Sequence, residues 1–198
     1  MSDTLPLVLQ LVASHGHAVF TRGLYNLNIV GMRSSDLSAG TFNDRMCVVY
    51  RDELGWCTRT WAITTDPGVY WRENPGRLEG TAVLCAGQYR GSHQLGRHRG
   101  RYPALVQTGA AVRVWRDADL NATIDVDREQ FGTEGYYGIN IHRASSRAGG
   151  STEVGKWSAG CQVFADPADF DGFFNLCTSS AELYGPSFTY TLIEDADR

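Results

Sequence analysis

The sequence has no long apolar run, no closely paired cysteines and no excess of basic residues, and each absence excludes a class of protein. The apolar run at 5–13 contains Pro6 and Gln10, so we expect no membrane span. The four residues before it carry no positive charge, so we also expect no secretory signal. These absences predict a chain that is made in the cytoplasm.

The cysteines and the net charge exclude further classes. No pair of cysteines has C-x-x-C spacing and their number is odd, which argues against a disulfide framework and a zinc knuckle. At least one thiol is therefore free among Cys47, Cys57, Cys85, Cys161 and Cys177. The net charge of −4 gives no general attraction to nucleic acid, so we expect no nucleic-acid partner.

The chain of 198 residues is long enough to bury a full core, and we expect a single domain over 1–198. Alternating apolar residues and turn signals such as Asp52-Glu53-Leu54-Gly55 predict strands at 24–32, 46–51, 57–65, 81–86, 104–106, 111–115, 138–142 and 188–193. Helices are predicted at 5–14, capped by Ser2 or Asp3, and at 167–176 after Asp166. The fold class is therefore mainly β with few helices, a small sandwich or barrel-like sheet.

The most reactive pair of residues lies in the segments Gly138-Ile139-Asn140-Ile141-His142 and Ser158-Ala159-Gly160-Cys161-Gln162. A thiol nucleophile needs a base to accept its proton and N–H donors for the oxyanion that follows attack on an acyl carbon. His142 can act as the base, and the backbone at 159–161 can supply the donors. The residues alone leave open a buried, inert cysteine and a structural histidine.

Fifteen positions separate His142 from Ser158-Ala159-Gly160-Cys161, and this pattern resembles the signature of the YkuD-type L,D-transpeptidase catalytic domain. That family has a histidine followed at similar distance by Ser/Thr-His-Gly-Cys. The resemblance is best over 136–193 and implies an L,D-transpeptidase-like β-sandwich or mixed sheet. The chain departs from the pattern at Ala159, which stands where the family has a second histidine, and at 162–164.

The resemblance also implies roles. Cys161 would be the nucleophile, His142 its base oriented by the Arg143 carbonyl, and Ser158 and Gly160 would shape the oxyanion pocket. Attack on a peptidoglycan stem peptide would give a thioester, which an amine resolves in cross-linking or water resolves in hydrolysis. No cofactor is expected. The residues expected to contact substrate are Trp157, Gln162, Arg97, His93 and Tyr137.

A chain without a secretory signal needs another route to the cell wall. Phage lysis, a virion or a secretion machine that injects effectors would supply one. Alternatively, the protein is a non-catalytic member of the same fold, and its function is to bind peptidoglycan or a protein. The sequence leaves the oligomeric state open.

A second pattern, Ser92-His93-Gln94-Leu95-Gly96-Arg97-His98, resembles the zinc-binding run of D-Ala-D-Ala-cleaving metallopeptidases, although Arg99 stands where a ligand aspartate belongs. A catalytic zinc needs three protein ligands. A zinc-dependent peptidoglycan peptidase would have to bring His93, His98 and His142 together. Otherwise the segment is a basic loop that either binds a substrate carboxylate or is simply solvated. Its basic and aromatic residues are Tyr89, Arg90, His93, Arg97, His98, Arg99, Arg101 and Tyr102.

A third pattern places Asp117, Asp119, Asn121 and Asp125 like the start of a calcium loop. The glycine expected at the sixth position is Ala122, and Arg128 replaces the bidentate glutamate. These two replacements favour a degraded site or an acidic turn.

Overall fold

Strands make up most of the regular structure in residues 4–37 and 40–194, the parts of the chain that this computed structural model describes. Three helices accompany them there: α1 (Leu7–Ser14), α2 (Val69–Glu73) and α3 (Pro167–Tyr184). The strands are β1 (Asn28–Arg33), β2 (Asp44–Asp52), β3 (Gly55–Thr64), β4 (Thr81–Leu84), β5 (Gly87–His98), β6 (Tyr102–Gln107), β7 (Val112–Asp117), β8 (Thr133–Gly135), β9 (Ile141–Arg143), β10 (Gln162–Phe164) and β11 (Ser187–Glu194). The predicted mainly β chain with few helices is confirmed.

Eight strands close into a barrel in the order β1-β11-β5-β6-β9-β10-β3-β2. The sheet is mixed, because β1 pairs with β11 and β9 with β10 in parallel while the other neighbours are antiparallel. Strands β4, β7 and β8 form a separate antiparallel sheet. Of the two sheet forms left open by the sequence, the structure has the barrel.

The predicted hairpin at 46–65 is confirmed and shows how its turn residues act. Strands β2 and β3 pair from Asp44 opposite Ile63 to Asp52 opposite Gly55. The Asp52 carboxylate accepts hydrogen bonds from the backbone N–H groups of Leu54 (2.8 Å) and Gly55 (3.1 Å), which closes the turn.

Helix α3 begins as predicted and is longer than predicted. The Asp166 carboxylate accepts a hydrogen bond from the Ala168 N–H at 2.7 Å, and Pro167 occupies the first turn. Its buried side chains include Phe170, Phe173 and Cys177, so the apolar face continues past the predicted end at 176 and the helix reaches Tyr184. No helix in the described part of the chain is both long and apolar enough to cross a membrane.

Other boundaries differ from the prediction. Helix α1 follows Pro6, and the predicted caps Ser2 and Asp3 lie outside the described residues. The first strand starts at Asn28 instead of 24, because 22–25 form a turn in which Tyr25 has φ +56°. Strand β9 is only three residues long. The predicted basic loop at 89–102 is instead a β5–β6 hairpin. The sequence carries no strand signal there because the buried residues Ser92 and His93 are polar.

A buried arginine ties the barrel to the turn that precedes α2. Arg33 is 1% exposed, and its guanidinium lies 3.0 Å from Asp66 and 3.0 Å from Glu194. Asp44 accepts hydrogen bonds from the backbone N–H and the hydroxyl of Thr65 at 2.6 and 2.9 Å. This cluster fixes residues 65–66, and two residues further on the Gly68 N–H donates to the Ser158 carbonyl at 3.0 Å.

Replacing Arg33 with methionine is expected to lower the free energy of unfolding by about 3–5 kcal/mol, because it leaves buried carboxylates without their cation. Urea denaturation followed by fluorescence measures the change. Arg45→Met is the matched control, since Arg45 is exposed on β2 and its loss is expected to change stability by less than about 0.5 kcal/mol. Equal effects of the two substitutions would contradict a structural role for the buried cluster.

Candidate active site

Cys161 ends a tight turn directly before β10. The Ser158 hydroxyl donates to the Cys161 carbonyl at 2.8 Å and accepts from the Gly160 N–H at 3.1 Å. Gly160 has φ +114°, and a Cβ there would clash with the Ala82 carbonyl of β4. Ser158 and Gly160 therefore shape the turn, and the Gly160 N–H is already engaged by Ser158. The remaining N–H donors of the turn are those of Ala159 and Cys161.

His142 lies on β9 with its ring held as predicted. Its Nδ1 is 2.8 Å from the Arg143 carbonyl oxygen, which can only accept, so Nδ1 carries the hydrogen. The Nε2 atom therefore has a lone pair. It is buried and has no hydrogen-bond partner among the described residues. A buried, unpaired acceptor of this kind is what a general base for a neighbouring thiol requires.

A second histidine joins the pair. One ring nitrogen each of His98 and His142 and the Cys161 Sγ lie within 4.8 Å of one another. The two imidazoles pack with ring centroids 4.1 Å apart, and the Tyr102 hydroxyl is 3.4 Å from His142 Nδ1. His98 and Tyr102 face each other across the β5–β6 hairpin. From the sequence, His98 is expected only as part of a basic segment or as one of three possible zinc ligands from distant segments.

Burial sets the protonation states of the pair. It raises the pKa of the Cys161 thiol to about 11, although the Asn140 N–H and Arg99 oppose this. Burial and then the neighbouring His98 lower the pKa of His142 to about 3, against the opposing hydrogen bond to Arg143. At pH 7 the unliganded protein therefore holds a neutral thiol beside a neutral imidazole. A thiol in this state can act as a nucleophile only if its proton passes to an acceptor such as Nε2.

A cavity of about 440 Å³ opens above Cys161. Its cations are Arg99, Arg101 and Lys156, and its aromatic walls are Trp71, Tyr102 and Trp157. Ala159 lines this cavity and also a neighbouring one of about 260 Å³ that contains Arg77, Arg116 and Tyr137. A third, of about 600 Å³, adjoins the first at Tyr102 and Trp157 and contains Arg143 and Arg147. In the described residues no acidic side chain lines any of the three, so the groove is positively charged.

Three of the residues predicted to contact substrate line none of these three cavities. Gln162 is fully buried inside the barrel, where its side-chain oxygen accepts from the Tyr190 hydroxyl at 2.7 Å. Arg97 points to the hairpin turn and donates to the Gly100 carbonyl at 3.2 Å. His93 is also fully buried and lines none of these cavities. Trp157 and Tyr137 do line the groove, and their contact with substrate stays a prediction.

The zinc alternative that uses His93 is excluded by the same burial. Its Nδ1 is 2.8 Å from the Ser92 hydroxyl and its Nε2 is 2.8 Å from the Ile139 carbonyl. The carbonyl can only accept, so His93 Nε2 carries a hydrogen and the ring has no free lone pair that faces a metal. Instead, His98 and His142 come together with Cys161. In the described residues these three form the one group of histidine, cysteine and acidic side chains close enough to share a metal ion.

The calcium pattern forms a hydrogen-bonded turn. The Asn121 side-chain NH₂ donates to carboxylate oxygens of Asp119 (2.6 Å) and Asp125 (3.3 Å). Burial and the neighbouring Asp119 raise the pKa of Asp117 to about 6. Within the described chain these carboxylates do not converge as a group that could hold an ion. The interpretation as an acidic turn agrees with this arrangement.

Comparisons with protein-family models, curated proteins and solved structures found no match to this chain. The family resemblance of residues 136–193 therefore stays a prediction. Arguments about function depend on the geometry of the site itself.

The neutral thiol and imidazole predict a specific pH profile. Alkylation of Cys161 by iodoacetamide should accelerate about tenfold per pH unit from pH 7 to 10, as the small thiolate fraction grows toward a pKa of about 11. Mass mapping of the labelled peptides separates Cys161 from Cys57, a partly exposed reference thiol in the same sample. A rate plateau that begins below pH 6 would reveal a thiolate–imidazolium pair and contradict this assignment.

Proposed function

We propose that the protein is a cysteine-dependent acyltransferase or peptidase that acts on peptidoglycan stem peptides, as its resemblance to L,D-transpeptidases implies. The observation that carries the proposal is the buried, unpaired Nε2 of His142 in the cluster with the Cys161 thiol. A buried polar atom without a partner destabilises a fold by about 1–3 kcal/mol. Such an atom is explained if its partner is the thiol proton during reaction.

The reaction follows from these positions. The Cys161 sulfur attacks the acyl carbon of a peptide bond while its proton passes to His142 Nε2, which gives a tetrahedral oxyanion. Collapse breaks the C–N bond, and the imidazolium returns the proton to the leaving amine. Water or a second amine then attacks the thioester, loses its proton through the same nitrogen and restores the thiol. The Arg143 carbonyl holds the ring and stabilises its positive form throughout.

The charge of the groove supports the choice of substrate. Arg99, Arg101 and Lys156 surround the approach to Cys161, and the adjoining cavities add further arginines. Stem peptides carry free carboxylates, which these cations would bind. The sequence left open whether the basic segment binds a substrate carboxylate or is simply solvated. The proposal favours binding of a substrate carboxylate.

The pairing of β9 with β10 supports the finer fold assignment. The lead-in 138–142 and the turn 158–161 enter two adjacent parallel strands, so the two motifs of the L,D-transpeptidase signature meet in space. Ala159 lines both of the first two cavities, and a histidine in its place would stand between them. We propose an L,D-transpeptidase-like arrangement in which the small side chain keeps the groove continuous.

Incubation with purified sacculi tests the reaction. Wild-type protein is expected to change the muropeptide masses, and Cys161→Ala is expected to abolish the change because it removes the nucleophile. Cys57→Ala, a substitution of a partly buried cysteine on β3 that lines none of the three cavities, is the matched control and should behave as wild type. Persistence of the products with Cys161→Ala would refute the mechanism. Binding to sacculi without any product would instead support the non-catalytic alternative.

The charged groove predicts a substrate-binding effect. Arg101→Gln should raise KM about fivefold, which corresponds to one exposed ion pair of about 1 kcal/mol, and should leave kcat nearly unchanged. Arg90→Gln on the same hairpin is the control, because Arg90 is exposed and lines none of the three cavities. Steady-state kinetics on a soluble stem peptide at low and high salt make the comparison. An equal change in both variants would argue against carboxylate binding in the groove.

A further inference from the structure

We infer that His98 is a second catalytic histidine, which donates a hydrogen bond through its Nε2–H to the oxyanion formed at Cys161, and that it is not a metal ligand. This role rests on the proposed acyl transfer and deepens it. The argument depends on which nitrogen of each imidazole carries the hydrogen. Hydrogen bonds from groups that can only donate or only accept settle that point.

The orientation of the Asn140 side chain is fixed first. Its Oδ1 is 2.9 Å from the backbone nitrogen of Gln107, whose N–H can only donate. The amide oxygen therefore faces Gln107, and the NH₂ group faces the other way. There it lies 3.1 Å from Nδ1 of His98.

That contact fixes the tautomer of His98. The Asn140 NH₂ group can only donate, so Nδ1 of His98 must accept and has no hydrogen. A neutral imidazole then carries its hydrogen on Nε2. His142 has the opposite form, because the Arg143 carbonyl requires the hydrogen on Nδ1. The two rings, tilted by 37° with centroids 4.1 Å apart, thus carry opposite tautomers in the cluster that includes the thiol.

The Asn140 position is itself held rigidly. The side-chain oxygen of Gln107 accepts from the N–H groups of Tyr137 and Gly138, each at 2.9 Å, and its NH₂ donates to the Ala110 carbonyl at 3.0 Å. Gln107 is 3% exposed, so these bonds have little competition from water. The segment that carries Asn140 cannot easily turn its amide over.

His98 adds a side-chain donor to the Ala159 and Cys161 N–H groups that the cysteine turn leaves available. The oxyanion requires preorganised N–H groups, and the Gly160 N–H of the cysteine turn already bonds to Ser158. His98 lines the same cavity as Cys161. The L,D-transpeptidase pattern has its second histidine at the position of Ala159, and in this chain an imidazole reaches the thiol from the β5–β6 hairpin instead.

A metal ion is the strongest competing use of this cluster. Two histidines and a cysteine are suitable zinc ligands. A histidine that binds a metal through Nε2 must carry a hydrogen on Nδ1, and that hydrogen needs an acceptor. At His98 the partner is the Asn140 NH₂ group, a donor, so metal binding would bring two N–H groups face to face. Asn140 therefore opposes zinc and favours the Nε2–H form.

Two substitutions at His98 separate the nitrogen atoms. The amide nitrogen of glutamine reaches the position of Nε2, whereas that of asparagine reaches only the position of Nδ1. His98→Gln is therefore expected to keep kcat within about tenfold of wild type. His98→Asn should lower kcat about 10²–10³-fold with little change in KM, the usual effect of losing one oxyanion donor. Equal losses in kcat for two variants of equal thermal stability would overturn the inference.

The tautomers are tested without any activity. Long-range ¹H–¹⁵N spectra of the wild-type protein should show hydrogen on Nε2 of His98 and on Nδ1 of His142. Hydrogen on Nδ1 of His98 would overturn the inference even if the protein is an active acyltransferase. If the protein has no activity on sacculi, the proposed function and the catalytic role fail together, and the spectra still decide the tautomers.

Asn140→Asp exchanges the donor for an acceptor at one position. The hydrogen of His98 should then move to Nδ1, kcat should fall, and Zn²⁺ should inhibit or bind much more tightly than in the wild type. Isothermal titration with Zn²⁺ alone compares the two proteins, and Cys161→Ala in each background shows whether the thiol is a ligand. Tight binding of zinc to wild-type protein through this cluster would refute the assignment.

Discussion

The parallel pairing of two three-residue strands is the constraint on which the rest of the site depends. Strand β9 places His142 opposite Val163 of β10, and the Gln162 N–H donates to the Asn140 carbonyl at 2.9 Å. This register puts Cys161 beside the segment that leads into His142. Short parallel pairs are weak alone, so both strands depend on their outer partners, β6 and β3, in the closed barrel. Barrel closure is therefore the condition for bringing His142 and Cys161 together.

Around that pair, fixed hydrogen bonds set the chemistry of each group more than charge does. The Arg143 carbonyl and the Asn140 amide give two adjacent histidines opposite tautomers, and burial keeps the histidines and the thiol neutral. Charged residues have two other roles, one in the buried cluster around Arg33 and one in the groove. Arg33 stabilises the turn that holds Ser158 through Gly68, and Arg99 and Arg101 line the groove above Cys161. His142 and Cys161 themselves are buried.

Much of the fold and the central pair could be predicted, because both depend on local signals. The turn at 52–55, the cap at Asp166 and the spacing of His142 from Cys161 are each readable within twenty residues. The differences have physical reasons. Gln162 is predicted to contact substrate, but it is the first residue of β10 and its side chain is buried, where it accepts from the Tyr190 hydroxyl. His98 and Asn140 are 42 positions apart, and only the barrel register brings them into contact.

The departure at Ala159 has a spatial explanation in this arrangement. A histidine two positions before the cysteine would lie in the groove, where Ala159 now joins two cavities. Strand β5 ends at His98 and turns back at Arg99 and Gly100, both with positive φ, so the hairpin tip delivers an imidazole from the opposite wall. On the proposed mechanism, His98 supplies the donor that the family histidine would supply. The small side chain of Ala159 leaves the groove wider at that position. On this proposal the equivalent group comes from another strand, and a comparison of the motif alone would not reveal it.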